Sequence, residues 1–267
     1  MRYITSDVHG CKEPLDKLLN YIGFNNNDEL IVIGDSIDRG PESAKLVDWV
    51  INSPNIHLIF GNHESSFCDV YENINLTRVI DFRDSRELKE DMNFQLWLDN
   101  GGKDTCISFN EFNINNPSRN LYNEFYDYLR KCSKYMIIDK YILVHAGTSF
   151  LRYEKINTSE LIEWLDNLNN ETLLWDRRFF DRSFNRGFCQ SLTNFTTIIG
   201  HTPVYNNKNY TGAITKDIII KHYPKNNSTV IALDLGVNET DMLGLLSLDT
   251  LRFFYINKNE VQYIDLV

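Results

Sequence analysis

Three short apolar runs alternate with two amphipathic segments at the start of the chain, and this alternation constrains the fold more than any other feature. The runs are RYITS (2–6), LIVIG (30–34) and HLIFG (57–61), and the segments are KEPLDKLLNYIGF (12–24) and ESAKLVDWVI (42–51). Such runs are typical of strands, whereas the segments between them carry helical apolar spacing. A β-α-β-α-β order predicts a parallel sheet covered by helices, with ligands at the carboxyl ends of the strands.

The remainder of the chain changes character twice. From about 65 to 133 helical spacing prevails, which predicts a helical insertion. The runs YMIID (135–139) and YILVHAG (141–147) then predict a hairpin, and LIEWLDNL (161–168) predicts a helix. Apolar runs from TTIIG to VQYIDL predict a second sheet in the strand-rich C-terminal half. We therefore predict one domain over residues 1–267, with a helical cap at about 65–133.

Composition excludes several classes of protein. A net charge of −10 argues against non-specific binding to nucleic acid or to a membrane surface, both of which require basic surface. The start MRYITSDVHG lacks the apolar region of a signal peptide, and no apolar run reaches the roughly 20 residues that span a bilayer. We therefore expect a monomeric protein of the cytoplasm, with no nucleic-acid or membrane partner.

The cysteines point to the same compartment. Cys11, Cys68, Cys106, Cys132 and Cys189 are scattered along the chain without a C-x-x-C pair. An odd, scattered set fits reduced thiols better than a disulfide framework.

Residue types that bind metals follow the predicted strands at the points where the strands end. They are Asp7, His9, Asp35, Asp38, Asn62, His63, His145 and His201. Imidazole, carboxylate and amide oxygen together suit Mn, Fe, Zn or Ni, whereas an all-oxygen set would suit Mg or Ca. Buried carboxylates such as Asp35 and Asp38 also need compensating positive charge. The pattern indicates a metal centre, and we expect two metal ions to supply this charge.

Each motif taken alone has an ordinary structural explanation. A D-x-H pair can be a satisfied turn, G-N-H-E a turn followed by a helix cap, and G-H-T-P a turn into Pro203. However, four of the six histidines stand at strand ends beside small or polar residues, and all the motifs occur in one order along the chain. Their joint occurrence favours one shared site.

The motifs resemble those of the calcineurin-like metallophosphoesterases, in the phosphoprotein-phosphatase branch. The matching stretches are SDVHG (6–10), GDSIDRG (34–40), GNHE (61–64), VHAG (144–147) and GHTP (200–203), together with LDNGGKDT (98–105), LLWDRR (173–178) and LDLG (233–236). The likeness is strongest to bacterial and phage serine/threonine phosphatases and to the related diadenosine tetraphosphate hydrolases. It implies an α/β fold, a four-layered α/β/β/α sandwich of two mixed sheets with a helical insertion.

The resemblance also implies a set of metal ligands. One ion would be held by Asp7, His9 and Asp35, and a second by Asp35, Asn62, His145 and His201. Asp35 would bridge two divalent ions, with Mn²⁺ as the first choice and Fe, Zn or Ni as alternatives. In the family a hydroxide that bridges two such ions attacks phosphorus in line.

The remaining site residues are implied in the same way. His63 would protonate the leaving alkoxide, and Asp38 would orient its imidazole. Arg39 and Arg177, with Asn62, would bind the phosphoryl oxygens. Trp175-Asp176-Arg177 matches a W-x-R pattern of phage-type members, so Arg177 is preferred to Arg178.

Three functions remain open at this point. A serine/threonine protein phosphatase leads, a symmetrical dinucleoside tetraphosphate hydrolase is second, and a catalytically silent metal-bound interaction module is third. The substrate would be a phosphorylated protein or a nucleotide. Selection between them would come from the insertion at 65–133 and from 205–228, although the lysines of 205–228 are equally explained by a solvated hairpin.

Overall fold

The computed structural model describes residues 1–74, 79–80, 86–148, 157–188 and 191–267. The strands are β1 (Arg2–Thr5), β2 (Glu29–Ile33), β3 (Ile56–Ile59), β4 (Tyr135–Ile138), β5 (Tyr141–Val144), β6 (Thr196–Ile199), β7 (Ile220–Tyr223), β8 (Ser228–Ala232), β9 (Gly244–Ser247), β10 (Arg252–Asn257) and β11 (Glu260–Asp265). The α-helices are α1 (Lys12–Ile22), α2 (Ser43–Asn52), α3 (Asn62–Asn73), α4 (Arg86–Glu90), α5 (Met92–Trp97), α6 (Lys103–Asn115), α7 (Leu121–Leu129), α8 (Thr158–Asp166), α9 (Arg178–Phe180), α10 (Lys216–Ile219) and α11 (Val237–Thr240).

The first sheet contains the predicted β-α-β-α-β unit. Its strand order is β11-β10-β9-β1-β2-β3, and β1, β2 and β3 are parallel neighbours. β9 pairs antiparallel with β1, and β10 and β11 extend the sheet beyond it. The prediction that all the C-terminal runs form a second sheet is therefore wrong for the last three strands. An apolar run identifies a strand, but the pairing partner depends on which sheet edge is free, and local pattern does not encode that.

The second sheet has the order β4-β5-β6-β8-β7. β5, β6 and β8 are parallel, whereas β4 and β7 lie antiparallel at the two edges. The predicted hairpin of β4 and β5 is confirmed, and both sheets are mixed.

The layers follow from the two-residue period of the strands. On β2, Val32 belongs to the core beneath the helices, whereas its neighbour Ile31 belongs to the core between the sheets, together with Leu143 of β5. Ile142 faces the other side of the second sheet and packs with Leu161 of α8. Helices, sheet, sheet and helix thus form the predicted four-layered sandwich.

Helices α3 to α7 account for the described part of residues 65–133. The assignment of this region as a cap on a single domain stays a prediction, and residues 75–78 and 81–85 lie outside the described ranges. Cys11, Cys68, Cys106 and Cys132 are free thiols, as predicted, while Cys189 lies outside the described residues. Within the described ranges, no helix has both the length and the apolar character to cross a membrane.

Candidate metal centre and active site

The carboxyl ends of five strands from both sheets meet at one place. Asp7 follows β1, Asp35 follows β2 and Asn62 follows β3, while His145 follows β5 and His201 follows β6. A cavity of about 230 Å³ lies there. Of the residues singled out from the sequence, it is lined by Asp7, His9, Asp35, Arg39, Asn62, His63, Arg177 and His201. The structure therefore brings the strand-end residues of the two sheets together.

Two glycines allow the sheets to approach this closely. A Cβ atom on Gly34 would lie 2.5 Å from Nδ1 of His145, and one on Gly200 would lie 2.2 Å from Oδ2 of Asp7. Real Cβ atoms do not approach other atoms so closely. Any larger residue at Gly34 or Gly200 would push apart the loops that carry the site.

Several site residues hold left-handed backbone conformations. With φ between 46° and 73°, they are Asp7, His9, Asp35, Asp38, Arg39 and His201. Such conformations cost of order 1–3 kcal/mol each in non-glycine residues, and they cluster at functional sites. The surrounding hydrogen bonds must therefore hold these residues in place.

The orientation of three imidazole rings is fixed by backbone carbonyl groups. Because a carbonyl oxygen can only accept, the bonded ring nitrogen carries a proton, and the other nitrogen is the one that could bind a metal ion. The bonds run from His9 Nδ1 to the Ile37 oxygen (2.9 Å), from His145 Nδ1 to the Ile33 oxygen (3.0 Å) and from His201 Nε2 to the Trp175 oxygen (3.1 Å). Metal-binding histidines use this arrangement.

The donor atoms form two groups that share one carboxylate. His9, Asp35 and His63 form the first group, and Asp35, His145 and His201 form the second, with the donor atoms of each group within 4.8 Å of one another. Asp35 thus belongs to both groups, at the position of the predicted bridging ligand. The side-chain oxygen of Asn62 lies 2.9 Å from Nε2 of His145 and 2.9 Å from Nδ1 of His201, beside the second group.

The first group differs from the ligand set implied by the sequence. It contains His63, and it does not contain Asp7. The carboxylate of Asp7 instead accepts a hydrogen bond from the backbone N–H of His201, at 3.0 Å to Oδ2. Asp7 nevertheless lines the same cavity as His9.

The residues present fit transition-metal ions. The guanidinium of Arg39 donates to Nε2 of His9 at 3.0 Å, so the lone pair of this atom already faces a positive charge. The guanidinium also lies 3.2 Å from Nε2 of His63. Burial, reinforced by His63, holds the pKa of His9 well below its usual value. Burial, reinforced by His145, lowers the pKa of His201 to about 3. Both rings are therefore neutral, as metal ligands must be.

His145 has the opposite electrostatic character. Burial lowers its pKa, but the carboxylates of Asp35 and Asp7 outweigh burial and raise the pKa to about 10. The pair of carboxylates thus favours positive charge at His145. A divalent cation would displace that proton on binding.

His63 differs from the other three histidines because its partner is a carboxylate. Its Nδ1–H donates to Oδ2 of Asp38 at 2.8 Å, which leaves Nε2 facing the cavity. The fully buried Asp38 also accepts from Nε1 of Trp97 at 3.0 Å and from the hydroxyl of Thr105 at 2.7 Å. Thr105 ends the quoted motif LDNGGKDT, but the sequence reasoning gave it no role, and Trp97 lies just before that motif.

Glu64 is a second residue that the sequence reasoning missed. Its buried carboxylate accepts from the backbone N–H groups of Asp35 (2.8 Å), Ser36 (2.7 Å) and Gly61 (3.0 Å). It thereby ties the loop after β2 to the start of α3. The GNHE motif contained a signal for this role, since a glutamate at the third helical position commonly reaches back to the helix cap.

The two arginines of the WDRR segment occupy different environments. Arg177 lines the cavity and donates to the carbonyl oxygen of His201 at 3.0 Å. Arg178 pairs with Asp176 at 2.7 Å, and its side chain is 71% exposed. Of the two arginines, Arg177 is the one that lines this cavity, and its role as phosphate ligand stays a prediction. The backbone of Arg39 is fixed by the loop before α6, because the backbone N–H of Arg39 donates to the carbonyl oxygen of Gly101 at 3.0 Å.

Segment 205–228 divides between two places. Tyr205 lines the active-site cavity, together with Asp234 and Glu239 from the loop and helix after β8. Lys216 and Lys221 instead line a separate cavity at the opposite ends of the strands of the second sheet. The alternative of a solvated hairpin fits Lys221, since β7 pairs antiparallel with β8.

Comparison with known proteins agrees with this geometry. The model of the calcineurin-like phosphoesterase family matches residues 3–227. A symmetrical bis(5′-nucleosyl)-tetraphosphatase from Chromobacterium violaceum is 36% identical over 72 residues, which are 26% of this chain and 26% of that protein. The corresponding protein of Erwinia tasmaniensis is 35% identical over 81 residues, 30% of each chain. The chain thus matches only about a quarter to a third of the length of these relatives.

Solved structures support the fold. A provisionally named diadenosine tetraphosphatase has a TM-score of 0.52 at 14% identity, with 98% of this chain and 92% of that chain covered. A cold-active protein-tyrosine phosphatase of a Shewanella species has a TM-score of 0.50 at 15% identity, with 98% and 79% covered. The fold, the strand-end motifs and the family match lead to one conclusion. The chain belongs to the calcineurin-like phosphoesterase family.

Proposed function

We propose that this protein is a metal-dependent phosphoester hydrolase, and that phosphoserine and phosphothreonine in proteins are its first class of substrate. One observation carries the proposal. The imidazole of His63, bonded through Nδ1 to Asp38 at 2.8 Å, faces the same small cavity as Arg39 and Arg177. This position supports the roles that we give these residues: His63 as proton donor, and Arg39 and Arg177 as phosphate-binding cations beside the metal-binding donor groups.

Two divalent ions would be held by the donor groups that share Asp35, with Asn62, His145 and His201 on one side and His9 with Asp7 on the other. When bound, they would supply the positive charge that acidifies a water molecule and neutralises phosphoryl oxygens. The N/O donor set favours a borderline metal such as Mn²⁺.

The protein's own side chains would do the remaining work. Arg39 and Arg177 would hold the phosphoryl oxygens through paired N–H donors. His63 would give the proton on Nε2 to the leaving oxygen, while Asp38 keeps Nδ1 protonated and the ring in position. Burial lowers the pKa of His63, but Asp35 and Asp38 outweigh burial and raise it, which favours the proton-carrying form.

A second candidate is supported by the relatives. Proteins named symmetrical bis(5′-nucleosyl)-tetraphosphatase are 35–36% identical to this chain over 72 to 81 residues. The same centre would serve such a substrate, because it acts on the phosphoryl group and not on the rest of the molecule.

The proposal is tested by turnover with defined substrates. Protein loaded with Mn²⁺ is incubated separately with a phosphoserine peptide, p-nitrophenyl phosphate and diadenosine tetraphosphate, and kcat/KM is measured for each. We expect hydrolysis of the peptide and of p-nitrophenyl phosphate, with the peptide preferred over the dinucleotide. Turnover of diadenosine tetraphosphate alone would make the second candidate the function, and no turnover of any substrate would reject both.

A further inference from the structure

One wall of the active-site cavity consists of residues to which the preceding sections give no role. It is formed by Pro203, Tyr205, Asn206, Asp234 and Glu239. Tyr205 lies on the short helical turn Val204–Asn206, and Glu239 lies on α11. This wall therefore faces whatever is attached to the reacting phosphate.

The carboxylate of Glu239 is available to a ligand. Glu239 is solvent-exposed, and it lines the same cavity as Arg39 and Arg177. It comes close to Tyr205 because of Gly236: a Cβ atom there would lie 2.6 Å from Cε1 of Tyr205 and 3.3 Å from Oε2 of Glu239. Gly236 also has φ 71°, a conformation that favours glycine.

The charges around Tyr205 show that this wall lies close to the phosphate-binding arginines. Burial is the main reason that the pKa of its phenol is raised, and Glu239 and Asp234 raise it further. Arg39 and Arg177 act on the same phenol in the opposite direction. Tyr205 therefore lies within electrostatic reach of both the phosphate-binding arginines and the carboxylates.

This arrangement has a consequence for substrates. Arg39, Arg177 and Glu239 line one cavity of about 230 Å³, so a phosphoryl group bound to the two arginines would have Glu239 near its substituents. A second anionic group there would be repelled, whereas a cationic group would be attracted. The attraction or repulsion by Glu239 is moderate, because its carboxylate is exposed to water.

We propose that Glu239 is a specificity-determining residue that favours phosphoesters with a cationic group beside the phosphate and disfavours those with a second anionic group, such as dinucleoside polyphosphates. The inference rests on the proposed phosphoester hydrolysis, and it identifies the substrate class within that activity.

The test uses two phosphoserine peptides that differ only in arginine or glutamate next to the phosphoserine, and diadenosine tetraphosphate. Each is assayed at low salt with the Mn²⁺-loaded wild type, Glu239→Gln and Glu239→Lys. Glu29→Gln is the matched control, because it removes the same charge from an exposed glutamate at the amino end of β2.

We expect the wild type to prefer the arginine peptide over the glutamate peptide in kcat/KM by about three- to tenfold, the scale of one partly solvated charge pair. Glu239→Gln should bring this ratio close to one, Glu239→Lys should reverse it, and Glu29→Gln should keep the wild-type ratio. Glu239→Lys should also raise the kcat/KM of diadenosine tetraphosphate relative to that of the arginine peptide.

The inference and the proposed function fail in different ways. If the wild type hydrolyses both peptides and Glu239→Gln leaves their ratio unchanged, the inference is wrong and the proposed function stands. If the wild type hydrolyses none of the three substrates, the proposed function is overturned, and the inference with it.

Discussion

At the level of single residues, the partner of each imidazole separates two kinds of histidine. His9, His145 and His201 donate to backbone carbonyl groups, whereas His63 donates to the carboxylate of Asp38. A carboxylate partner stabilises the protonated ring, which suits proton transfer. A carbonyl partner orients the ring and leaves its other nitrogen for a metal ion, which suits metal binding.

This difference predicts a substrate-dependent effect of His63→Asn. The alkoxide that leaves phosphoserine needs a proton, whereas p-nitrophenolate leaves largely unaided. We expect kcat on a phosphoserine peptide to fall by about 10²–10⁴-fold, the usual worth of general-acid assistance, and kcat on p-nitrophenyl phosphate to fall clearly less. Metal content, measured by elemental analysis, should stay near that of the wild type.

Asp38→Asn is the companion variant, and its defect should be smaller and in the same direction, because it disturbs the imidazole without removing it. His63 also belongs to the first donor group around Asp35. Equal losses on both substrates, or loss of metal from His63→Asn, would show that His63 acts chiefly on the metal site or on phosphate binding.

The neighbouring arginines of the WDRR segment supply a matched pair of substitutions. Arg177→Ala should lower kcat/KM by about 10²–10³-fold, which corresponds to a loss of a few kcal/mol of transition-state stabilisation. The metals should be retained. Arg178→Ala should stay within about twofold of the wild type, since Arg178 forms an exposed pair with Asp176. Inhibition by inorganic phosphate provides a second readout. Equal inhibition of Arg177→Ala and the wild type, with unchanged rates, would contradict the assignment.

At the level of elements, residues of the helical insertion bind Asp38 and Arg39 in the loop after β2. Trp97 ends α5, the turn Leu98–Gly102 follows, and Thr105 lies in the first turn of α6. Trp97 and Thr105 bind Asp38, and the carbonyl of Gly101 binds Arg39. Gly101 has φ 108°, and a Cβ atom there would lie 2.6 Å from Cγ of Arg39, so glycine is required. A region expected to select substrates thus also positions the machinery.

Trp97→Phe tests this support. It removes an N–H donor from a buried carboxylate, and we expect the free energy of unfolding to fall by about 1.5–3 kcal/mol, the range for hydrogen bonds to charged groups. The control is Trp164→Phe, at a half-buried tryptophan of α8. It should lower the free energy of unfolding by less, when both variants are measured by urea titration. Activity on the phosphoserine peptide should fall only in the first variant. Equal stability of the two variants would refute the role given to Trp97.

How far the sequence predicts these elements depends on the range of the interactions. The strands β1 to β3 and the residues after them follow local patterns, since apolar runs and strand-end polar residues lie next to each other in the chain. The support of Asp38 by Trp97 links residues 59 positions apart. A local sequence pattern does not report contacts between such distant residues, so this hydrogen bond could be found only in the structure.

At the level of the whole molecule, the donor groups join the two sheets. Asp35 and Asn62 come from the first sheet, and His145 and His201 come from the second. Metal bound between them should therefore stabilise the folded state as a unit, because the unfolded chain does not bring these groups together.

Chelation should accordingly lower the melting temperature. Removing Mn²⁺ from the wild type should reduce Tm by about 5–10 °C, as expected for loss of a few kcal/mol of binding energy in a chain of this size. Asp35→Asn should bind less metal, show little Tm response to Mn²⁺ and lose hydrolysis. Asp127→Asn, at an exposed position of α7, should behave as the wild type. Two tightly bound metals with full turnover in Asp35→Asn would contradict the bridging role.

The whole-molecule topology was the part least accessible from sequence. The motifs predicted the family, and the resemblance implied the sandwich, yet β9, β10 and β11 joined the first sheet and not the second. The apolar patterns of β9, β10 and β11 are compatible with a place in either sheet. The free edge of β1, to which β9 pairs through Tyr3 and Ser247, decides between them.

The hydrogen bond between His201 and Asp7 spans 194 positions of sequence. During synthesis, β1 to β3 leave the ribosome long before β6 brings His201 to the centre, and β9 reaches the edge of β1 later still. The acidic residues after β1 and β2 cannot form a stable buried site before the residues that compensate their charge are present. Formation of the metal centre is therefore a late event in the life of each new chain, and a ribosome-bound nascent chain that stops before residue 201 should be devoid of catalysis.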